Sequence, residues 1–212
     1  MRTVRRGILR FALFGVLAIG APFASAAAVT AGTSEVSVNQ KASDESVLIY
    51  GLFLDKWLAK GSAANLGEAV DAVTDTQLAD FSDCLKGLTL DRSTGAASQT
   101  LIGTTLASRN GVKLVDASRW QATDPGDLID HGTSVDKAVE QGMDAGLLTL
   151  SAIVFDAKHK IAVFSYGFVC GRLCGNGGTV VFALTDAGWR RRDDVQCGSW
   201  MSAVDRVRFL HS

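Results

Sequence analysis

The residues of this chain whose types and spacing could do chemistry are four cysteines, a run of glycines and one histidine set among aspartates. Two of the cysteines bracket a short, glycine-rich segment, Cys170-Gly171-Arg172-Leu173-Cys174-Gly175-Asn176-Gly177-Gly178, while Cys84 and Cys197 stand far apart. In a chain that leaves the reducing cytosol, as the leader described below implies, disulfides are the default chemistry. Three connectivities exist. Cys170 with Cys174, cinching the loop, and Cys84 with Cys197, tying a helix to the last strand, are preferred. Spacing alone proves neither, because a bridge needs Cα atoms about 4.4 to 6.8 Å apart. A thioredoxin-like redox site puts two residues between its cysteines and its first thiolate at a helix N-terminus, whereas here three residues intervene and the loop lies between strands. A zinc site needs close paired ligands, and Cys84 and Cys197 would have to converge on the one close pair from afar. A thiol or metal protein would carry free thiols. No metal or cofactor is implied by these patterns.

The glycines Gly171, Gly175, Gly177 and Gly178 could free backbone N–H groups to hold an anion. A phosphate loop, however, runs into a helix and carries Lys followed by Ser or Thr, and here a strand-like run follows with no such Lys. The expectation is that these glycines supply positive φ in a tight connection closed by a bridge. His131-Gly132-Thr133-Ser134-Val135, with Asp127 and Asp130 beside it, has the look of a protease histidine segment. No Gly-Thr-Ser-Met-Ala or Gly-x-Ser-x-Gly nucleophile accompanies it. His159, in a hairpin turn, and His211, next to last, read as solvent-exposed. Asp127 and Asp130 could in principle be paired carboxylates acting on a glycan, at a separation that loop spacing does not define. Trp57, Trp120, Trp189 and Trp200 could line a sugar or peptide groove, although aromatic residues in a domain of this size more often fill the core, and Trp57 reads as core.

Met1 to Arg10 carries four arginines and no acid, and Phe11 to Ala24 is apolar and ends in Ala24-Ser25-Ala26. That is a signal peptide, with cleavage expected after Ala26. At 14 residues the apolar run falls short of the roughly 20 needed to span a bilayer as a helix. Arg5-Arg6-Gly7-Ile8-Leu9-Arg10 resembles a twin-arginine export signal but departs from it at Val4 and Ile8, so the general secretory route is preferred. A soluble periplasmic or secreted product without a membrane anchor is expected. Removing residues 1–26 leaves 186 residues and moves the formal charge from −1 to −5. That acidity, with Arg190-Arg191-Arg192 followed at once by Asp193-Asp194, excludes a nucleic-acid stripe and reads as a solvated face. The length fits one domain.

Residues 27–42 contain no aromatic and read as a flexible leader, with a single domain over 43–212. Ser43 is a good N-cap for a helix carrying Val47, Tyr50, Phe53 or Leu54, Trp57 and Leu58 at helical spacing, and Gly61 would end it. Asn65 to Thr74 alternates like a strand, Gln77 to Lys86 reads as a short helix, Gln99 to Arg109 as another, and Val112 to Ala117 as a strand. Asp124-Pro125-Gly126-Asp127 has turn chemistry, and Thr133 to Met143 resembles a helix capped at Thr133. Leu147 to Phe155, Ile161 to Cys170, Thr179 to Leu184 and Trp189 to Val195 are four β-rich runs. The connections Asp156 to His159 and Thr185 to Gly188 are short enough for hairpins. The expected class is α+β: a four-stranded antiparallel β-meander in the C-terminal half, with N-terminal and central helices packed on one face.

From Ser151-Ala152-Ile153-Val154-Phe155-Asp156 through the cysteine loop to Gly188-Trp189 and Trp200-Met201-Ser202, the chain resembles a diffuse group of uncharacterised bacterial exported proteins. These share a strand, a CGxLCGxG-like loop, an apolar strand, a G-x-W or G-W turn and a closing W-x-S. Cys170 to Gly177 matches the loop. The resemblance implies the fold and carries no catalytic residues; Cys84 and Cys197 lie outside its pattern. The functional expectation is a non-catalytic periplasmic or secreted binding or interaction module for an unknown protein or small-molecule ligand. The alternative is a small cell-envelope hydrolase using His131 with Asp127 or Asp130.

Overall fold

The computed structural model describes residues 33–59, 63–96, 105–172, 174–195 and 197–201. The signal peptide, Gly61, His211 and most of the helix expected over 99–109 lie outside the described residues. The centre of the fold is a long antiparallel pair, β6 (Ile161–Gly171) and β7 (Cys174–Thr185), in register from Ile161 opposite Ala183 to Gly171 opposite Cys174, with an irregularity between Val169 and Gly171. Along the free edge of β6 lie two strands in tandem. β5 (Val154–Asp156) pairs with its first half and β4 (Leu147–Leu150) with its second. β2 (Leu90–Asp91) extends the sheet beyond β5, whereas β1 (Ala64–Gly67) and then β3 (Val112–Val115) extend it beyond β4. The far edge of β7 takes β9 (Ser199–Met201) near its start and β8 (Gly188–Arg191) at its end.

Among the described residues the result is a mixed sheet of nine strands, not a four-stranded antiparallel meander, because β1 runs parallel to both β3 and β4. The two expected hairpins, β5 with β6 and β7 with β8, are present within it. Two physical facts account for the additional strands. The run Leu147 to Phe155 breaks at Ser151, where Asp71 makes a parallel bridge and exchanges backbone bonds with Leu150 and Ala152 at 2.9 and 2.7 Å, so each half pairs separately with β6. β1, read as the start of a ten-residue strand, is four residues long and mostly buried, as suits a short parallel strand covered on both faces.

Helices cover both faces of the sheet rather than one. On β6 the even positions Ala162, Phe164 and Phe168 join β7 residues Val180 and Phe182 under α1 (Thr33–Leu58), whose buried stripe is Ile49, Tyr50, Phe53 and Leu54. Of the odd positions, Ile161 packs against the edge of a second cluster, in which Val163, with Val181 and Val154, lies under Phe81 of α2 (Asp75–Cys84) and Leu85 just beyond it. Because β6 and β7 carry apolar side chains on both faces, each face needs a layer. α2 starts where its sequence dictates: Thr74 accepts from the Gln77 N–H at 3.2 Å, and Gln77 Oε1 accepts from the Thr74 N–H at 2.9 Å, a closed capping box.

Three other boundaries differ from expectation. α1 runs through Ser43 instead of starting there, since its helix begins at Thr33. Asp124 opens a helix, α3 (Pro125–Asp130), rather than a simple turn: its side chain accepts from the Gly126 N–H at 2.8 Å, with Pro125 at the first helical position. The next helix, α4 (Val135–Asp144), has Ser134 and not Thr133 as its N-cap, and it buries Ala138 while leaving Val135 exposed.

Candidate functional site

The four cysteines fall into the preferred pairs. Cys84 lies 5.4 Å from Cys197 and Cys170 lies 5.0 Å from Cys174, Cα to Cα, both within disulfide geometry, and none of the four is free. Paired in this way they leave no thiolate for a metal. The first bridge ties α2 to the segment leading into β9; the second closes the tip of the β6–β7 hairpin, where Met143 Sδ lies 3.6 Å from Cys170 Sγ.

The glycine run is not a loop. Gly175, Gly177 and Gly178 are extended residues inside β7, and of the four only Gly171 has positive φ, at 155°. What excludes side chains here is crowding. A Cβ on Gly175 would sit 2.7 Å from the Phe168 carbonyl oxygen, one on Gly177 would sit 2.7 Å from the Tyr166 carbonyl oxygen and run into the Trp200 indole, and one on Gly171 would sit 2.8 Å from Pro125 Cδ. At the tip, the Arg172 backbone N–H donates to Asp124 at 2.7 Å and its guanidinium reaches Asp124 at 3.2 Å and Asp127 at 2.9 Å. The Arg172 backbone N–H is the chief reason the Asp124 carboxyl is held below the usual carboxylate range.

These contacts engage two members of the alternative histidine site. Asp127 pairs with Arg172, and His131 Nδ1 lies 2.6 Å from the Asp127 backbone carbonyl rather than from a carboxylate. Both side chains, and Asp130, are exposed at the end of α3. His159 is half-buried rather than solvent-exposed: its ring stacks on Phe155 at 4.1 Å and pairs with Glu45 of α1. Trp189 is buried, Trp57 packs on the α1 side against Phe53, Tyr166 and Phe168, and the Trp120 indole N–H donates to the Ala145 carbonyl at 3.0 Å. Trp200 alone of the four is half exposed, at 50%.

Trp200 stands at the edge of a cleft of about 730 Å³ on the α2 side of the sheet. Beyond Val163 and Val181 the rungs of the ladder change character. Ser165 sits opposite Thr179, with Ser151 bonded on its other side; Gly167 sits opposite Gly177, with Thr149 on one side and Trp200 on the other. Ser165, Thr179 and Thr149 thus line a floor where α2 no longer supplies apolar cover. Asp80, Asp83, Gln77 and Cys84 from α2 form one wall, Asp71 another, and Cys197 to Trp200 a third. The cleft brings together hydroxyls, carboxylates, one amide and one indole. Of the residues lining this cleft, Cys84, Cys197, Gly178 and Trp200 were singled out from sequence.

Fold and cleft together define an α+β protein with a mixed, disulfide-tied sheet and one polar cleft beside an aromatic edge. Comparison with protein-family models, with curated proteins and with solved structures finds no match for the chain. No helix among the described residues is long and apolar enough to cross a membrane.

Proposed function

We propose that this protein is a non-catalytic binding module of the bacterial periplasm or extracellular space, exported by the general secretory route, and that its ligand seats in the cleft between the sheet and α2. The observation that carries the reading is the change of character along one face of β6 and β7, from Val163 and Val181 to Ser165, Thr179, Gly167 and Gly177. A strand pair that is simply structural has no use for small polar residues facing a volume the size of a ligand pocket. The floor is rigid because both flanking segments are tied down, α2 and the β9 segment by Cys84–Cys197 and the hairpin tip by Cys170–Cys174, so a ligand meets a preorganised surface.

The test uses the full chain exported through its own leader and labelled with ¹⁵N, screened by NMR against a mixed panel of sugars, amino acids and short peptides. Shifts should cluster on Thr149, Ser165, Thr179 and Trp200 and vanish in Thr179→Arg, which fills the cleft with a side chain its aspartates attract. Shifts centred on His131 instead, or turnover of an ester or glycoside that His131→Ala abolishes, would overturn the reading in favour of a hydrolase.

A further inference from the structure

We infer that the ligand is a saccharide, neutral or amine-bearing, one ring of which stacks on the indole of Trp200. This rests on the cleft being the binding site and adds the chemical class. The first observation is how the indole lies. Cβ positions built on three glycines in adjacent strands meet five of its ring atoms: Nε1 and Cε2 at Gly177, Cη2 and Cζ3 at Gly175, both 3.5 Å, and Cζ2 at Gly167, 3.9 Å. Those atoms span both rings, and the three glycines lie on one face of one sheet, with Gly167 directly opposite Gly177 and Gly177 opposite Trp200. The indole therefore lies flat over a glycine floor with one π face down and the other turned outward, and the residue keeps half its surface.

An indole face held flat and outward is a stacking platform. It is well matched to a ring whose C–H bonds point along one direction. The axial C–H groups of a pyranose carry partial positive charge and lie against the negative π face. The second observation is the set of polar groups beside that platform. Ser165, Thr179 and Thr149 can donate and accept, Gln77 brings an amide, and Asp71, Asp80 and Asp83 accept only. A polyol is the ligand that answers this set, since each of its hydroxyls can donate to a carboxylate and accept from an amide or hydroxyl. The third observation is sign. Tyr166 borders the cleft while its ring packs on the α1 side, and the other titratable side chains there are the three aspartates, so uronic or sulfated sugars meet like charge, while an amino sugar gains.

The measurement is a titration of the exported full chain with chito-oligosaccharides, their deacetylated counterparts and oligogalacturonate, read by Trp fluorescence and by the Trp200 indole N–H signal. The first two sugars, or at least one of them, should bind with a shift of the Trp200 signal. Affinity should fall tenfold or more in Trp200→Ala and recover in part in Trp200→Phe, which keeps a ring over the glycines. Oligogalacturonate should not bind. Near-ultraviolet circular dichroism of both variants separates lost folding from lost stacking. Binding that survives Trp200→Ala, or tightest binding of oligogalacturonate, would overturn the inference. If no sugar binds while a peptide or amino acid shifts the cleft residues, the saccharide inference fails and the binding module stands. If nothing in either panel shifts the cleft, both fail.

Discussion

The two faces of the β6–β7 pair are built on opposite plans. Under α1, Phe164 meets Tyr50 at 5.1 Å and Phe53 at 5.5 Å edge to face, Phe182 stacks near it at 6.3 Å, and the Tyr50 hydroxyl, buried with its pKa pushed up, donates to the Ser151 carbonyl at 2.7 Å. Under α2 the apolar cover runs through Ile161 and the Val163–Val181 rung and then stops, and serine, threonine and glycine follow. One face spends its surface on packing; the other keeps part of it open beside a covalent tie. The difference teaches that the α1 face supplies most of the packing, while the α2 face leaves small polar residues lining a cleft, where the proposed ligand would seat.

The sharpest way to break this comparison is to shorten neighbouring residues that point to opposite sides. Phe164 has no exposed surface, so Phe164→Ala should lose about 3 to 5 kcal/mol through lost transfer energy and the cavity left behind. Ser165→Ala, one residue on but facing the cleft, should change stability by less than about 0.5 kcal/mol, because its backbone bonds to Ser151 remain. Urea denaturation of both measures the contrast. Similar losses would mean that the cleft face is packed as tightly as the other.

The second test concerns what replaces packing on the α2 side. Cys84 and Cys197 are 113 residues apart, Cys170 and Cys174 only 4. In the chain-entropy model the long closure is worth about 4 to 5 kcal/mol and the short one about 2. The double Cys84→Ser, Cys197→Ser variant should therefore lose roughly twice the stability of the Cys170→Ser, Cys174→Ser variant, and it should also loosen the wall that carries Trp200. Reversed losses would show that the hairpin tip, with its Arg172–Asp124 clamp, matters more to the fold than the tether of α2.

How much of this was legible in the sequence follows from the range of each interaction. The β5–β6 and β7–β8 hairpins were readable because their turns are local, Asp156 to His159 and Thr185 to Gly188, and the latter closes with Gly188 at a φ of 96°. The disulfide pairs were readable as preferences, since one cysteine pair is close in sequence and the other two are what remains. The mixed sheet was not, because β1 meets β3 and β4 across some 50 to 80 residues and four-residue strands leave no alternation to read. The glycine run was misread as a loop because glycine composition signals positive φ and crowding alike, and only the register shows Trp200 and the neighbouring carbonyls occupying the space. The cleft floor did have a signal: the even positions Phe164, Tyr166 and Phe168 stay aromatic while the odd ones fall from Val163 to Ser165 and Gly167. The partners that turn those residues into a floor, Thr179 and Gly177, depend on the exact pairing of β6 with β7.

The smallest effect sharpens the comparison at the corner where the packed face ends. Asp156, 6% exposed, closes the β5–β6 turn by accepting from the backbone N–H groups of Lys160 at 2.6 Å, Ile161 at 2.7 Å and Lys158 at 3.3 Å. Burial alone would raise its pKa, but the N–H bonds from Ile161, Lys160 and Lys158 outweigh it and hold the carboxyl below the usual range. A carboxyl whose folded pKa is depressed adds stability that is complete above its unfolded value, near 4, and is lost as pH falls through the folded value. Asp156→Asn keeps the shape of the turn and gives up the charge, so it should cost about 1 to 2 kcal/mol at neutral pH, the scale of charge-assisted hydrogen bonds to backbone donors. The gap between wild type and variant should close as pH falls below about 4, when the wild-type carboxyl takes up its proton. Denaturation midpoints across pH 2 to 7 follow the gap. His159, stacked on Phe155 and paired with Glu45, links this turn to α1, so a gap that stayed constant with pH would locate the effect of the variant in that packing and not in the carboxylate.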